Sequence, residues 1–186
     1  MYSRDPQGPH SRAYDAAILD ERPNSSDTFY EIPDSRPLSA TSILVRVAPH
    51  GSSRWIGRFL SRELAGDQRR GIYTTRDPHC LAVMVNAAVV YWIDVRNPSS
   101  WRAPDFGYVE DALFDAQRDQ VVVSSFNVVR AFNADGEMLW EAGDNGFDGM
   151  QFTAIEGSTL RGTGDSIWGA EPSEFLIDVA NGVRIR

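Results

Sequence analysis

Short apolar runs rich in Val, Ile, Phe, Tyr and Trp recur along this chain, separated by clusters of Gly, Pro, Asn and Asp. This patterning predicts β-strands joined by tight turns. Strands are expected over 42–47 and 54–60, on either side of a turn at Pro49-His50-Gly51, then over 71–75, 81–85 and 88–94. A clearer set follows at 111–115, 120–124, 128–133 and 138–141, with Ala134-Asp135-Gly136 turning the last pair. Asp-Gly marks such turns because a positive φ costs Gly nothing and Asp little. The final set is 150–155, 159–164, 166–168 and 174–178, closed by Asn181-Gly182 before 183–186. Val109, Ala112, Leu113 and Ala116 also satisfy helical spacing, so a helix over 109–116 competes with the strand there.

The strand pattern repeats. Residues 83–94 fall on 122–133 at an offset of about 39, the same shift carries Trp101 onto Trp140, and a looser third copy runs over 151–185. Repeats of about 40 residues built from short strands predict radially arranged four-stranded sheets. The segment Val128-Val129-Arg130-Ala131-Phe132-Asn133-Ala134-Asp135-Gly136-Glu137-Met138-Leu139-Trp140 places a strand, an Asp-Gly turn and a Trp-ended strand in succession. In this it resembles the blades of the quinoprotein-like and WD-type β-propeller families, over about residues 70–186. The resemblance implies an all-β fold of blade-like antiparallel sheet repeats, either a small propeller-like ring or an open array. A β-sandwich is the alternative. The Gly-His and Trp-Asp dipeptides of WD repeats are absent, and nothing corresponds to quinone ligands, so no cofactor is expected.

Residues 1–37 hold five of the ten prolines among Ser, Asp and Arg, which predicts an N-terminal extension with little structure of its own. Within it, Ala-Ala-Ile-Leu predicts a short helix over 13–22, ended by Pro23. Residues 38–186 are expected to form a single β-rich domain.

Charge narrows the possible functions. The formal net charge is −8 with a pI near 4.8, and all 18 basic residues are Arg. The absence of Lys removes the P-loop, Schiff-base and Ser-Lys chemistries. The acidic balance disfavours nucleic acid, whose binding needs phosphates to be neutralised. No apolar run reaches the roughly 18 to 20 residues of a membrane span. The first residues carry no apolar secretory signal, so a cytoplasmic location is expected. The acidic surplus lies after Asp105, whereas Arg54, Arg58, Arg62, Arg69, Arg70 and Arg76 make the earlier stretch basic.

No catalytic or metal set emerges. Cys80 is the single cysteine, and His79 beside it would point to the opposite face of a strand. The loop Asp144-Asn145-Gly146-Phe147-Asp148-Gly149 has the composition of a calcium loop. Against the EF-hand template, however, Gly146 stands at position three and Ile155 at position twelve. Acidic pairs such as Glu110-Asp111 and Asp115 with Asp119 read as turn residues, and the Trp residues as core.

The favoured reading is a non-catalytic, acidic protein-binding module of the bacterial immunity type, which neutralises a basic toxin by blocking its active site. Its expected partner-binding residues are Asp105, Glu110, Asp111, Asp144, Asn145, Phe147 and Asp148. One alternative is a carbohydrate-active hydrolase or lyase using paired carboxylates. Another is an accessory domain that completes a larger β assembly or oligomer through its sheet edges.

Overall fold

A computed structural model describes residues 13–21, 26–33, 41–61, 70–85, 89–107, 109–143, 147–166 and 171–185. Among these residues all regular structure is β, in four sheets. The chain divides into two compact units, residues 1–64 with 68–103 and residues 65–67 with 104–186.

The first unit holds two four-stranded sheets. One is built from β1 (Tyr14–Leu19), β2 (Thr28–Ile32), β3 (Thr41–Pro49) and β4 (Trp55–Ser61), in the order β1-β3-β4-β2. Strands β1, β3 and β4 are antiparallel neighbours, but β2 crosses to the far edge and runs parallel to β4, with Thr28 opposite Trp55 and Ile32 opposite Phe59. The helix expected over 13–22 is therefore not formed. Alternate residues Tyr14, Ala16 and Ile18 pack into the core of this unit, and a strand's period of two allows this where a helix would scatter them. Both strands of the expected extension belong to this sheet.

The second sheet of this unit runs β5 (Gly71–Thr74), β6 (Cys80–Val85), β7 (Val89–Asp94) and β8 (Trp101–Arg102), each antiparallel to the next. Strands β6 and β7 are buried along nearly their whole length, the mark of central strands covered on both faces. Val45, Val47 and Phe59 of one sheet meet Val83, Val85 and Ile93 of the other in one core. Burying each such side chain contributes about 1.5–3 kcal/mol. Buried polar ends are satisfied across the same interface. The Trp55 indole N–H donates to the Val95 carbonyl at 2.9 Å, and the Tyr91 hydroxyl donates to the Leu60 carbonyl.

The second unit repeats the plan. Its first sheet is β9 (Asp111–Asp115), β10 (Gln120–Ser125), β11 (Val128–Phe132) and β12 (Met138–Ala142), in chain order. The competing helix at 109–116 is absent, since Asp111 to Asp115 pair with Gln120 to Ser124 in antiparallel register. Its second sheet is β13 (Phe147–Glu156), β14 (Thr159–Ser166) and β15 (Ser173–Asp178). The chain then turns at Asn181-Gly182. Arg184 bridges back to Ile177, and the Ile185 N–H donates to the Leu176 carbonyl, so 183–185 lies outside β15 where a fourth strand belongs. Val122, Val129 and Ala131 pack against Phe152, Leu160 and Phe175 in the core of this unit.

The fold is thus all-β with blade-like antiparallel sheet repeats, as the 39-residue offset predicts. Equivalent turns end strands β7, β11 and β15, the third strand of each repeat, and each turn is clasped by a side-chain oxygen. The Arg96 N–H donates to Asp94 Oδ1 at 2.9 Å, the Asp135 N–H to Asn133 Oδ1 at 3.0 Å, and the Ala180 N–H to Asp178 Oδ1 at 2.9 Å. Asn and Asp recur there because their short polar side chains stabilise turns of this kind.

Candidate functional site

Electrostatics single out the second unit. Residues 104–186 carry 15 Asp and Glu against five Arg, so the whole negative surplus of the chain resides there. Among the described residues, Arg118, Arg130 and Arg161 each pair with acids of this unit. Arg118 Nη1 lies 3.0 Å from Asp115 Oδ2, and Arg130 Nε lies 2.8 Å from Glu141 Oε2. Arg161 sits between Glu156 and Glu174, at 3.5 and 3.0 Å. The exposed pairs of Arg130 and Arg161 contribute little stability, unlike that of the buried Asp115, and the remaining acids leave a net negative field.

The expected binding residues divide by position. Asp105 is exposed, with its Oδ1 accepting the Gly107 N–H at 2.9 Å, which clasps the turn but leaves the charge at the surface. Glu110 is half-buried, and its N–H donates to the Ser124 carbonyl. Asp111 is only 1% exposed, and both of its oxygens accept backbone N–H groups, from Ala112 at 2.7 Å and from Phe152 at 2.6 Å. It ties β9 to β13 and offers no surface to a partner, so it leaves the candidate set. Asp144 and Asn145 fall outside the described residues.

Phe147 and Asp148 begin β13, where the register sets Phe147 opposite Ser166 and Asp148 opposite Asp165. Sequence reasoning missed Asp165. Gly149 follows Asp148 directly, and a Cβ there would lie 3.6 Å from Asp165 Oδ2, so this end of the hairpin has little bulk beside its acids. Asp165 itself is exposed.

The buried acids do not converge on a reacting centre. Asp115 accepts the Gln117 N–H and the Arg118 N–H on one oxygen, and Arg118 Nη1 and Gln120 Nε2 on the other. Among the described residues, no group of three or more His, Cys, Asp or Glu is placed to hold a metal ion, and no helix is long and apolar enough to cross a membrane. Cys80 is a half-buried thiol at the start of β6, and its carbonyl accepts the Tyr14 hydroxyl. In the first unit burial raises the Asp94 carboxyl, but hydrogen bonds from the Arg96 side chain and backbone, with the charges of Arg96 and His79, more than offset this and hold it below the usual aspartate range.

No protein-family model matches the chain, and no curated protein matches it. Among solved structures it is similar to BamB from Moraxella catarrhalis, with a TM-score of 0.48 and 15% identity, covering 92% of this chain and 49% of that one. It is also similar to the computationally designed Ika4 protein, with a TM-score of 0.44 and 13% identity over 68% of this chain and 78% of that one. For the designed Ika8 protein the TM-score is 0.46 and the identity 12%, over 81% of this chain and 46% of that one. The chain thus spans about half the length of BamB and of Ika8. Among the described residues the chain is all-β, in repeated antiparallel sheets, and its second unit is strongly acidic.

Proposed function

We propose that this protein is a non-catalytic binding module whose acidic second unit recognises a basic surface on another protein. Within that class the reading is immunity: a bacterial protein that neutralises a basic toxin by covering its active site. The observation that carries it is the opposed pair Asp148 and Asp165 at one end of the β13–β14 hairpin, in a unit with a threefold excess of acids over arginines. Asp165 is exposed there, and its charge is open to an Arg or Lys of a partner. Long-range attraction from the remaining acids would speed encounter with a basic partner. The same acids repel nucleic acid. The repeat pattern further supports assignment to the quinoprotein-like and WD-type propeller group.

The test is to mix the purified protein with the basic proteins encoded beside its gene and to follow complex formation by gel filtration. The reading expects a complex with one of them that inhibits that protein's activity and is weakened at least about tenfold by Asp165→Arg. Absence of any complex, or a complex indifferent to Asp165→Arg, overturns it.

A further inference from the structure

We propose that Asn181-Gly182 is a spontaneous modification site that the fold holds shut. Asn181 loses its side-chain nitrogen only when the turn after β15 opens, and the rearranged product keeps that turn from closing again. Asn-Gly is the reactive pair for this chemistry, because glycine has no Cβ to crowd the attack of its own backbone nitrogen on the preceding side chain. The Gly182 nitrogen gives up its proton and bonds to Cγ of Asn181, closing a five-membered imide. The Cγ–Nδ2 bond breaks, and the amide nitrogen leaves with that proton as ammonia. Water, the sole co-reactant, then opens the ring. Breaking the new N–Cγ bond gives an ordinary aspartyl residue at position 181. Breaking the main-chain N–C bond instead leaves the backbone running through Cβ and Cγ, longer by one methylene.

Asn181 is exposed, so water reaches its amide. Both reacting groups are nonetheless held. The Gly182 N–H, whose proton must leave before the nitrogen can attack, donates to the Asp178 carbonyl at 2.8 Å, and Asn181 Oδ1 accepts the Val183 N–H at 2.9 Å. The base of the turn is closed by the Asp178 N–H, which donates to the Val183 carbonyl at 2.8 Å, and by the Ala180 N–H on Asp178 Oδ1 at 2.9 Å. Trp140 closes it from the side. Its indole donates to the Val179 carbonyl at 2.9 Å, and its ring lies where a Cβ on Gly182 would come within 2.6 Å. Attack therefore waits on a local opening that breaks the Gly182 bond and lifts the turn from the ring. The same packing makes the change one-way. A backbone lengthened between positions 181 and 182 has no room against Trp140, whereas an ordinary aspartyl keeps an oxygen for the Val183 N–H and fits.

This inference does not rest on the proposed function. The test is to incubate the full chain at mildly alkaline pH, in buffer and in denaturing urea, and to follow conversion at position 181 by mass spectrometry of arginine-specific digests. Cleavage after Arg130, Arg161 and Arg184 puts Asn181 on the peptide 162–184 and the chain's other Asn-Gly, Asn145-Gly146, on 131–161. In urea the two sites should convert at similar rates. In buffer Asn181 should convert at least about tenfold more slowly than in urea. Trp140→Phe should raise the buffer rate at least about threefold and leave the urea rate unchanged, because it acts only through the folded turn. Gly51→Ala, which strains a turn of the first unit, should leave both rates unchanged. The lengthened form, separated from wild type aged in urea and refolded beside an unaged control, should melt lower by at least about 3 °C, whereas Asn181→Asp should melt with the wild type. Equal rates in buffer and urea, a buffer rate that Trp140→Phe raises no more than Gly51→Ala does, or a lengthened form as stable as Asn181→Asp would each overturn the proposal.

Discussion

Trp140 donates its indole N–H to the carbonyl of Val179, 39 residues further on, and in the first unit Trp55 makes the same bond to Val95 across 40 residues. In both units a tryptophan of one sheet reaches the turn that ends the third strand of the next, so the repeat visible in the sequence is also the spacing of the bonds that join neighbouring sheets. Val179 accepts a second bond, from Gln120 Nε2 at 2.9 Å. Trp140→Phe therefore removes one of two donors and should cost about 1–2 kcal/mol, less than a change that left the carbonyl bare. Urea denaturation at neutral pH measures this.

The same contact makes a prediction about Gly182. Its φ is 74°, and a Cβ would meet Trp140 Cε3 at 2.6 Å, so Gly182→Ala carries both a left-handed backbone and a clash with a buried ring. Gly51 has a φ of 79° but nothing within 4 Å of the same position. Gly51→Ala should cost about 1 kcal/mol and Gly182→Ala at least about 2 kcal/mol, the difference being the cost of overpacking. Thermal unfolding of the two variants side by side gives the comparison.

Asp111 should behave as a structural residue. Removing its carboxylate strands the Phe152 N–H inside the unit, so Asp111→Ala should destabilise by about 3 kcal/mol. The same variant should bind any partner normally at temperatures where it remains folded. Chemical denaturation and a binding titration on one sample separate the two effects.

Acid stability has a traceable contribution from Asp94. Its carboxyl is held below the usual aspartate value of 3.8, because the Arg96 bonds outweigh the effect of burial. A folded-state value below the unfolded one means that this stabilisation is fully present above the unfolded value and is lost as pH falls through the folded one. Arg96→Ala should raise the Asp94 midpoint and narrow the stability difference between neutral and acidic pH. Carboxyl NMR titration of wild type and variant reads the midpoint directly.

How much of the fold is legible in the sequence depends on how local each signal is. The strands from Val128 to Ala142 can be read because alternation and the Asp135-Gly136 turn lie within a few residues of one another. The opposite holds for β1, where Ala-Ala-Ile-Leu suits a helix as well as a strand. Its pairing with β3, and the parallel placement of β2 beside β4, are set by residues far along the chain. Asp111 reads as a solvated neighbour of Glu110 because the N–H that claims it belongs to Phe152, 41 residues away. Asp165 escapes notice for a related reason. Irregularities between Asp148 and Gln151 and between Phe152 and Ala154 shift the β13–β14 register, so counting outward from the hairpin turn does not pair Asp165 with Asp148.

Asp165 also bears on the proposal that the second unit holds a basic protein. Asp165→Asn removes one exposed acid at the end of the β13–β14 hairpin and should leave stability within about 0.5 kcal/mol of wild type. The most direct test is a calorimetric titration of the protein, and of its Asp165→Asn variant, with a basic partner at several salt concentrations. The account predicts that wild-type affinity falls steadily with salt, and that the variant binds more weakly at low salt although its fold is as stable. Affinity that is independent of salt, or unchanged in the variant, would contradict it.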